Sequence, residues 1–288
     1  MTDIEDQLCE ELRHPSWVNF VFSLLIAVGI VLSYLPQHFR IAIRKSSRGL
    51  SPWFLLLGAA SSACALANVL LLSTDVLSCC SMISGGQCFA ASLGVIQVSL
   101  QFAMFSVIVY LFIAFFPRDP QLVSDWHRAV YTVVAVLVHY IITFILAILF
   151  HKFGSVASVE SYAVFLGMQG TVLAILQYLP QIYTTYKFQH PESLSIHSLL
   201  MQAPGSLIWA ITLAMRPGTE WSTWMPYLSA AVLQGVLLSM CFYYLRLGRI
   251  QLPLDNDLVP ANDASDQDIE EDAEPEELVI SFFDENAR

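Results

Sequence analysis

Seven long segments of this chain contain no Asp, Glu, Lys or Arg. They cover residues 17–35, 52–73, 88–116, 129–150, 162–183, 196–215 and 223–245. Each is close to or above the roughly 20 apolar residues that a helix needs to cross about 30 Å of hydrocarbon. A soluble helix of this length would carry a polar face, and these segments have none. The pattern predicts an all-α integral membrane protein with seven transmembrane helices, here called spans 1 to 7, that sit in a lipid bilayer.

The basic residues between the spans predict the orientation, because Lys and Arg concentrate on the cytosolic side of a membrane. The N-terminal segment and the loops after spans 2, 4 and 6 carry three of them, Arg13, Lys152 and Arg216. The other side carries nine, apart from the distant Arg288. We therefore expect a lumenal or extracellular N-terminus and a cytosolic C-terminus.

An internal repeat is visible in the spans. The tetrapeptide Tyr-Leu-Pro-Gln occurs at 34–37 and again at 178–181, an offset of 144 residues. Without gaps, this offset gives 10 identities over the 29 positions from 34 to 62. A shift of the offset to 137 then places Gln97 of span 3 against Gln234 of span 7. The repeat therefore covers spans 1–3 and spans 5–7.

The odd number of spans follows from this repeat. Three spans per copy would invert the second copy, and one additional span restores its direction, which gives a parallel 3+1+3 arrangement with a solute site between the copies. We expect a lumenal segment at 1–16, a first repeat at 17–116, a linker helix with its loops at 117–161, and a second repeat at 162–249. An acidic tail follows at 250–288.

The two Pro-Gln pairs, each followed by Leu-Ser, resemble the PQ-loop family of membrane proteins. That family includes the lysosomal cystine transporter, the vacuolar cationic amino acid exporters and, more distantly, the SWEET sugar carriers. The resemblance covers roughly residues 16–250. It implies a secondary transporter of a small polar solute such as an amino acid, in an endomembrane such as that of the vacuole or lysosome. The alternative is a non-transporting cargo receptor or regulator on the same fold, because the KDEL receptor has a related architecture.

The Pro-Gln pairs are the first candidate functional residues. Proline removes a backbone donor and kinks or ends a helix, so Pro36 and Pro180 either terminate spans 1 and 5 or act as hinges. Two prolines in equivalent frames, with Gln37 and Gln181 available to bond freed backbone groups, favour the hinge.

Buried amides form the second group of candidates. Asn68, Gln97, Gln202 and Gln234 either join helices, a common use of amides in lipid, or line a solute path. The family resemblance implies an Asp near Ser62 in span 2 or near Gln202 or Ser206 in span 6, and this chain lacks both. Their loss argues against a cationic substrate and against proton coupling through a carboxylate.

His139 is the ionisable side chain nearest the middle of a span. Such a residue is a candidate for proton coupling. The alternative is a neutral imidazole that is hydrogen-bonded between helices, and its place in the linker span favours that alternative.

Four cysteines, Cys9, Cys79, Cys80 and Cys88, fall on the predicted lumenal side, which is the oxidising side of a secretory membrane. They form at least one disulfide or remain free thiols, and the sequence does not indicate which cysteines would pair. Their spacing fits no zinc motif, and we expect no bound metal.

The acidic tail accounts for the net charge of −11, because residues 255–288 hold 13 acidic residues and one basic residue. Such a composition predicts disorder, and the apolar segment 278–283 within it is a candidate for binding a cytosolic partner. The chain contains no nucleotide-binding loop, zinc-protease helix or nucleophile elbow. We therefore expect no enzymatic activity, no cofactor and no nucleic-acid partner.

Overall fold

The computed structural model describes residues 7, 9–13, 16–47, 50–117, 123–188, 196–216 and 219–247. Every regular element in these ranges is helical. The long helices are α1 Trp17–Arg44, α2 Pro52–Leu72, α3 Gly85–Ala114, α4 Val123–Phe153, α5 Val156–Phe188, α6 Ile196–Ala214 and α7 Trp221–Arg246. A short helix, Thr74–Ser78, and a 3-10 turn, Cys79–Ser81, lie between α2 and α3. The predicted acidic tail at 250–288 lies outside the described residues.

The long helices have the length and composition of membrane spans. Six of those described, all except α6, are long and apolar enough to cross a bilayer, and α6 has a shorter apolar stretch. Their outward faces carry exposed apolar side chains, such as Leu32 on α1 and Ile141 on α4. Exposed apolar surface on this scale is typical of contact with lipid. The protein is therefore a multi-pass membrane protein.

The helices extend beyond the charge-free segments from which the spans were predicted. α1 continues to Arg44 rather than ending at residue 35, and α5 begins at Val156 rather than at residue 162. Long basic side chains reach the headgroup region from helix ends, so the charges at the end of α1 do not stop the helix there. Lys45 ends it by adopting a left-handed backbone conformation with a φ of 46°.

Serine residues cap the N-termini of three of the helices. Ser16 and Ser51 accept a hydrogen bond from a backbone amide of the first turn of α1 and α2. Ser84 forms a capping box with Gln87 at the start of α3. Such side chains satisfy amides that have no partner within the helix.

α2 is the central helix of the bundle. It packs most extensively against α5, and also against α4 and α3. A run of small side chains, Ala59, Ala60, Ala63 and Ala67, lines its buried surface, which permits neighbouring helices to approach closely. The copies predicted from the sequence, α1–α3 and α5–α7, meet where α2 packs against α5 and where α1 packs against α6.

The two ends of the bundle differ. At one end, here called the disulfide face, α1 begins and α2 ends. Disulfides join Cys9 to Cys79 and Cys80 to Cys88 there, so the N-terminal segment is tied to the connection between α2 and α3. At the other end, here called the proline face, the Ser47 side chain donates to the Phe112 carbonyl oxygen at 3.0 Å and joins the ends of α1 and α3.

Glycine allows a close contact between α5 and α7. A Cβ added to Gly167 of α5 would overlap the backbone carbonyl oxygen of Ser222 at the start of α7 and would lie 2.6 Å from the Ser222 Cβ. Real side chains do not approach this closely, so α5 and α7 would have to separate.

We predict that Gly167→Ala lowers the free energy of unfolding by about 1–3 kcal/mol, because an added methyl group in a closely packed contact strains both helices. Gly29→Ala is the matched control. Gly29 is also helical, and nothing lies within 4 Å of its added Cβ, so alanine should be neutral or stabilising by roughly 0.5–1 kcal/mol. Unfolding of the two purified variants in mixed micelles measures both effects. Equal stability of the two variants would contradict the close α5–α7 contact.

Candidate functional site

Both motif prolines lie inside continuous helices. Pro36 is within α1 and Pro180 within α5, and neither ends its helix. Each stands eight residues before the last residue of its helix, at 44 and 188 respectively. Because proline has no backbone N–H, one intrahelical hydrogen bond is lost at the same depth in both copies. Gln37 and Gln181, which follow them, are half-buried.

The tyrosines of the repeated tetrapeptide meet between the two copies. The Tyr34 and Tyr178 hydroxyl groups lie close enough to interact electrostatically. The Tyr178 ring packs edge-to-face against Phe54 of α2, with ring centroids 6.4 Å apart. The motif therefore places one aromatic hydroxyl from each copy at the interface, a role that the sequence analysis did not assign to these tyrosines.

Gln234 joins the three helices of the second copy. Its Nε2 donates to the Tyr178 hydroxyl at 2.6 Å, and its Oε1 accepts from the Ser206 hydroxyl at 3.1 Å. Both ends of this amide are thus paired with protein groups. Gln202 lies one turn before Ser206 on α6 and is half-buried.

Unlike the Gln234 amide, the amides of Gln97 and Gln101 of α3 are not paired at both ends. Gln97 Nε2 donates to the Ser23 carbonyl oxygen of α1 at 2.6 Å, and the Gln101 side chain contacts the Tyr34 hydroxyl. The Oε1 atom of each is buried without a hydrogen-bond partner. Gln97 and Gln234, which the repeat aligns, therefore have different partners. Gln101, one turn further along α3, is the residue that contacts the motif tyrosine of its copy.

An aromatic pair from the second copy has two further unpaired atoms. Trp209 of α6 and Tyr227 of α7 stack with ring centroids 4.1 Å apart. The Trp209 indole N–H and the Tyr227 hydroxyl are buried without a hydrogen-bond partner. Both rings pack in the apolar cluster that contains Val98 of α3 and contacts Tyr34, which is the tyrosine that Gln101 contacts.

These four side chains, Gln97, Gln101, Trp209 and Tyr227, are here called the unpaired cluster. Two amide oxygens can only accept hydrogen bonds, the indole can only donate, and the phenol can do either. Buried polar groups are normally paired, and each exception calls for an explanation. The cluster offers both donors and acceptors to a small polar molecule between the copies.

Asn68 shows the opposite pattern. It is fully buried, and its amide nitrogen donates to the Ala163 carbonyl oxygen at 2.7 Å and to the Ser222 hydroxyl at 3.1 Å. Its oxygen accepts from the Thr223 hydroxyl at 2.8 Å. These bonds join α2 to α5 and α7 near the disulfide face, which is an interhelical role.

The side chain of His139, on α4, lies against α2. Its Nε2 is 3.3 Å from the Thr143 hydroxyl on its own helix and 3.5 Å from the Cys64 sulfur on α2. Ser62, where the family resemblance implied an acid, donates to the Ala59 carbonyl oxygen within α2.

Arg216 follows α6 at the disulfide face, and the sequence analysis used it only to predict orientation. Its Nη2 donates to the Ser23 hydroxyl at 2.8 Å and its Nη1 to the Ala91 carbonyl oxygen at 3.4 Å, while Nε is buried without a partner. Burial lowers the pKa of Arg216 to about 10, so the guanidinium is still protonated at neutral pH.

Metal-binding potential is low in the part of the chain that the structure describes. No group of three or more His, Cys, Asp or Glu side chains there could hold a metal ion. Cys64 and Cys241, the free cysteines of this part, are buried singly in two different apolar clusters.

Comparison with known proteins gives two matches. The sequence model of a family described as PQ loop repeat matches residues 18–78 and residues 162–222. The matches begin 144 residues apart, which is the offset predicted from the repeated tetrapeptide. The chain is also 35% identical to the uncharacterized protein C4C5.03 of Schizosaccharomyces pombe over 248 aligned residues, which cover 79% of this chain and 80% of the relative.

We predict that two hydroxyl groups one turn apart on α7 contribute oppositely to stability. Thr223→Val removes the donor to Asn68 and should lower the free energy of unfolding by about 1–3 kcal/mol, because a buried amide oxygen loses its partner. Tyr227→Phe removes a buried hydroxyl that has no partner and should leave stability unchanged or raised. Unfolding of both variants in mixed micelles gives the comparison. A larger loss in Tyr227→Phe than in Thr223→Val would show that the hydroxyl of Tyr227 is paired.

Proposed function

Because the chain belongs to the PQ-loop repeat family of membrane proteins, we propose that it is a secondary transporter of a small polar solute across an endomembrane. The observation that carries this proposal is the unpaired cluster between the two copies. An amino acid is the solute class that its chemistry fits, and the vacuole or lysosome is the proposed location.

The free-energy cost of burying unpaired polar atoms supports a binding role for the cluster. A buried polar group without a partner costs about 1–3 kcal/mol, and the cluster contains four such atoms. The neighbouring Gln234 and Asn68 have both ends of their amides paired, so the same bundle pairs its amides elsewhere. A solute that bonds to the four atoms would recover much of that cost.

The donors and acceptors define the solute. The oxygen atoms of Gln97 and Gln101 suit an ammonium or hydroxyl group, and the Trp209 N–H suits a carbonyl or hydroxyl oxygen. The stacked rings of Trp209 and Tyr227 provide an apolar wall. A small molecule with a donor end, an acceptor end and a short apolar part fits this combination.

Alternating access is the proposed mechanism, with rocking of one copy against the other around the cluster. Pro36 and Pro180 weaken α1 and α5 at matching positions and serve as the hinges. The second copy also contains Pro204 in α6 and Pro226 in α7, whereas α2 and α3 have no proline beyond their first turn. We propose that the second copy deforms more during the cycle.

The 3+1+3 arrangement of seven spans is part of this proposal. The 19 residues of α6 correspond to about 28 Å of helix, close to the thickness of the hydrocarbon core. The disulfides of the N-terminal segment agree with a lumenal N-terminus, because structural disulfides persist in oxidising compartments. The C-terminus would then be cytosolic, as the basic residues predict.

A non-transporting receptor or regulator is the second candidate function. The observation in its favour is the absence of an acid at Ser62, Gln202 and Ser206, where the family resemblance implied one. The flux measurement described below distinguishes this candidate function from transport.

We predict that the chain, purified and reconstituted in proteoliposomes, takes up at least one radiolabelled neutral amino acid, and that Pro36→Ala/Pro180→Ala slows this uptake at least about tenfold. Restoring the two intrahelical hydrogen bonds stiffens both hinges, and each 1.4 kcal/mol added to the barrier of the conformational step is about tenfold in rate.

Pro52→Ala is the matched control. Pro52 occupies the first turn of α2, where a helix tolerates proline, so uptake should stay near that of the unaltered chain. Absence of uptake for every amino acid in the unaltered, correctly folded chain would contradict the transporter and favour the receptor. Unchanged uptake in the double variant would contradict the hinges alone.

A further inference from the structure

Arg216 is the one described basic side chain on the disulfide face that enters the bundle. Arg13 on that face forms an ion pair with Glu10, and Lys152 is exposed. A basic residue on the predicted lumenal side does not serve orientation, because Lys and Arg favour the cytosolic side. Arg216 is half-buried, and a guanidinium that loses part of its hydration without a paired charge is costly, so its position calls for a reason.

The partners of Arg216 are neutral. They are the Ser23 hydroxyl of α1 and the Ala91 carbonyl oxygen of α3. Neither of the ion pairs found among the described residues involves Arg216, and its Nε has no hydrogen-bond partner. Among the described residues the guanidinium therefore has no acidic partner, and its Nε is a free donor, which together favour an anionic ligand.

Arg216 is connected to the unpaired cluster through Ser23. The Ser23 hydroxyl accepts from Arg216, and the Ser23 carbonyl oxygen accepts from Gln97. Along the end of α6, Arg216 follows Trp209 by seven residues, with Leu213 between them in the same apolar cluster as Trp209. Two helical turns cover about 11 Å, so Arg216 lies roughly two turns beyond Trp209, toward the disulfide face.

The structure also leaves room for the guanidinium. A Cβ added to Gly94 of α3 would lie 3.2 Å from Arg216 Nη1. Glycine at this position allows the charged group to lie against α3, between the two copies.

We propose that Arg216 binds the carboxylate of the transported solute at the disulfide face. This inference rests on the transport function proposed above and names the charge that the solute must carry. The Nε and Nη groups present donors to the carboxylate, and the amide oxygens of Gln97 and Gln101 receive the solute's ammonium group. Since Arg216 extends from the second copy to α1 and α3 of the first, a carboxylate bound there contacts both copies.

The test uses the full chain purified in detergent and four pairs of probes, glycine, L-alanine, L-serine and L-glutamine with the corresponding amino acid amides. Binding is measured by the shift in thermal unfolding. We expect at least one free amino acid to stabilise the protein and its amide to do so at least about tenfold more weakly. Loss of a charge-assisted hydrogen bond of about 1.5–3 kcal/mol corresponds to roughly 10- to 100-fold in affinity.

Three variants accompany the unaltered chain. Arg216→Gln should lose the preference for the carboxylate, and Arg216→Lys should retain part of it because the charge remains. Gly94→Ala keeps the arginine and displaces Nη1, so affinity should fall to an intermediate value even where Arg216→Gln fails to fold. Lys152→Gln removes an exposed charge from the same face and should bind as the unaltered chain does.

Equal binding of acids and amides by the unaltered chain, or no binding of any acid, would overturn the inference. So would stabilisation by phosphatidylglycerol alone, which would make Arg216 a lipid-phosphate contact. Transport of a solute that has no carboxylate, at a rate that Arg216→Gln does not change, would overturn the inference about Arg216. The proposed transport function would still be supported. Carboxylate binding that depends on Arg216, without flux in proteoliposomes, would support the site and contradict the transporter.

Discussion

Polar groups inside a membrane bundle have no bulk water to bond with, so the protein must supply their partners. The interhelical hydrogen bonds of α2 follow from that constraint. Ser61 donates to the Gly170 carbonyl oxygen at 2.8 Å, and Asn68 bonds to α5 and α7. These bonds hold α2 at the centre. The unpaired cluster is an exception to this constraint, since Asn68 and Gln234 have both ends of their amides paired, and a bound solute is the explanation that we propose.

The two copies share a sequence pattern, but their equivalent helices α2 and α6 are packed differently. α4 covers one side of α2, with Ala129 and Val136 buried in the contact. The equivalent helix of the second copy, α6, exposes Leu207, Ile208 and Ile211. α6 has fewer neighbouring helices than α2 and contains Pro204, so local opening of α6 requires the loss of fewer buried contacts. On the proposed mechanism, this difference between α2 and α6 would let the second copy deform more during the cycle.

The helices and the repeat could be predicted from the sequence because both depend on local information. Charge-free runs and a tetrapeptide repeated at an offset of 144 residues are readable without knowing the packing, and the family matches share that offset. The helix ends were harder to predict, since α1 and α5 run past the charge-free segments into sequence that contains charged residues. The partners of the amides depend on which turn of α3 faces α1, which no pattern in α3 reveals. Trp209 and Tyr227 were missed because aromatic residues in a span are usually apolar packing, and Arg216 because a loop arginine is usually solvated.

The chemistry of the cluster limits how such a carrier could be driven. Glutamine and tryptophan side chains do not titrate near neutral pH, and tyrosine does so only near pH 10. The cluster therefore offers the same donors and acceptors whichever side of the membrane it faces. Arg216 adds a positive charge that does not change with the pH of either compartment near neutrality. His139, the candidate for proton coupling, contacts α2 and its own helix α4 instead. On the proposed mechanism the carrier senses the charge of its solute rather than the pH, because a carboxylate that neutralises Arg216 changes the charge between the two copies and a proton does not.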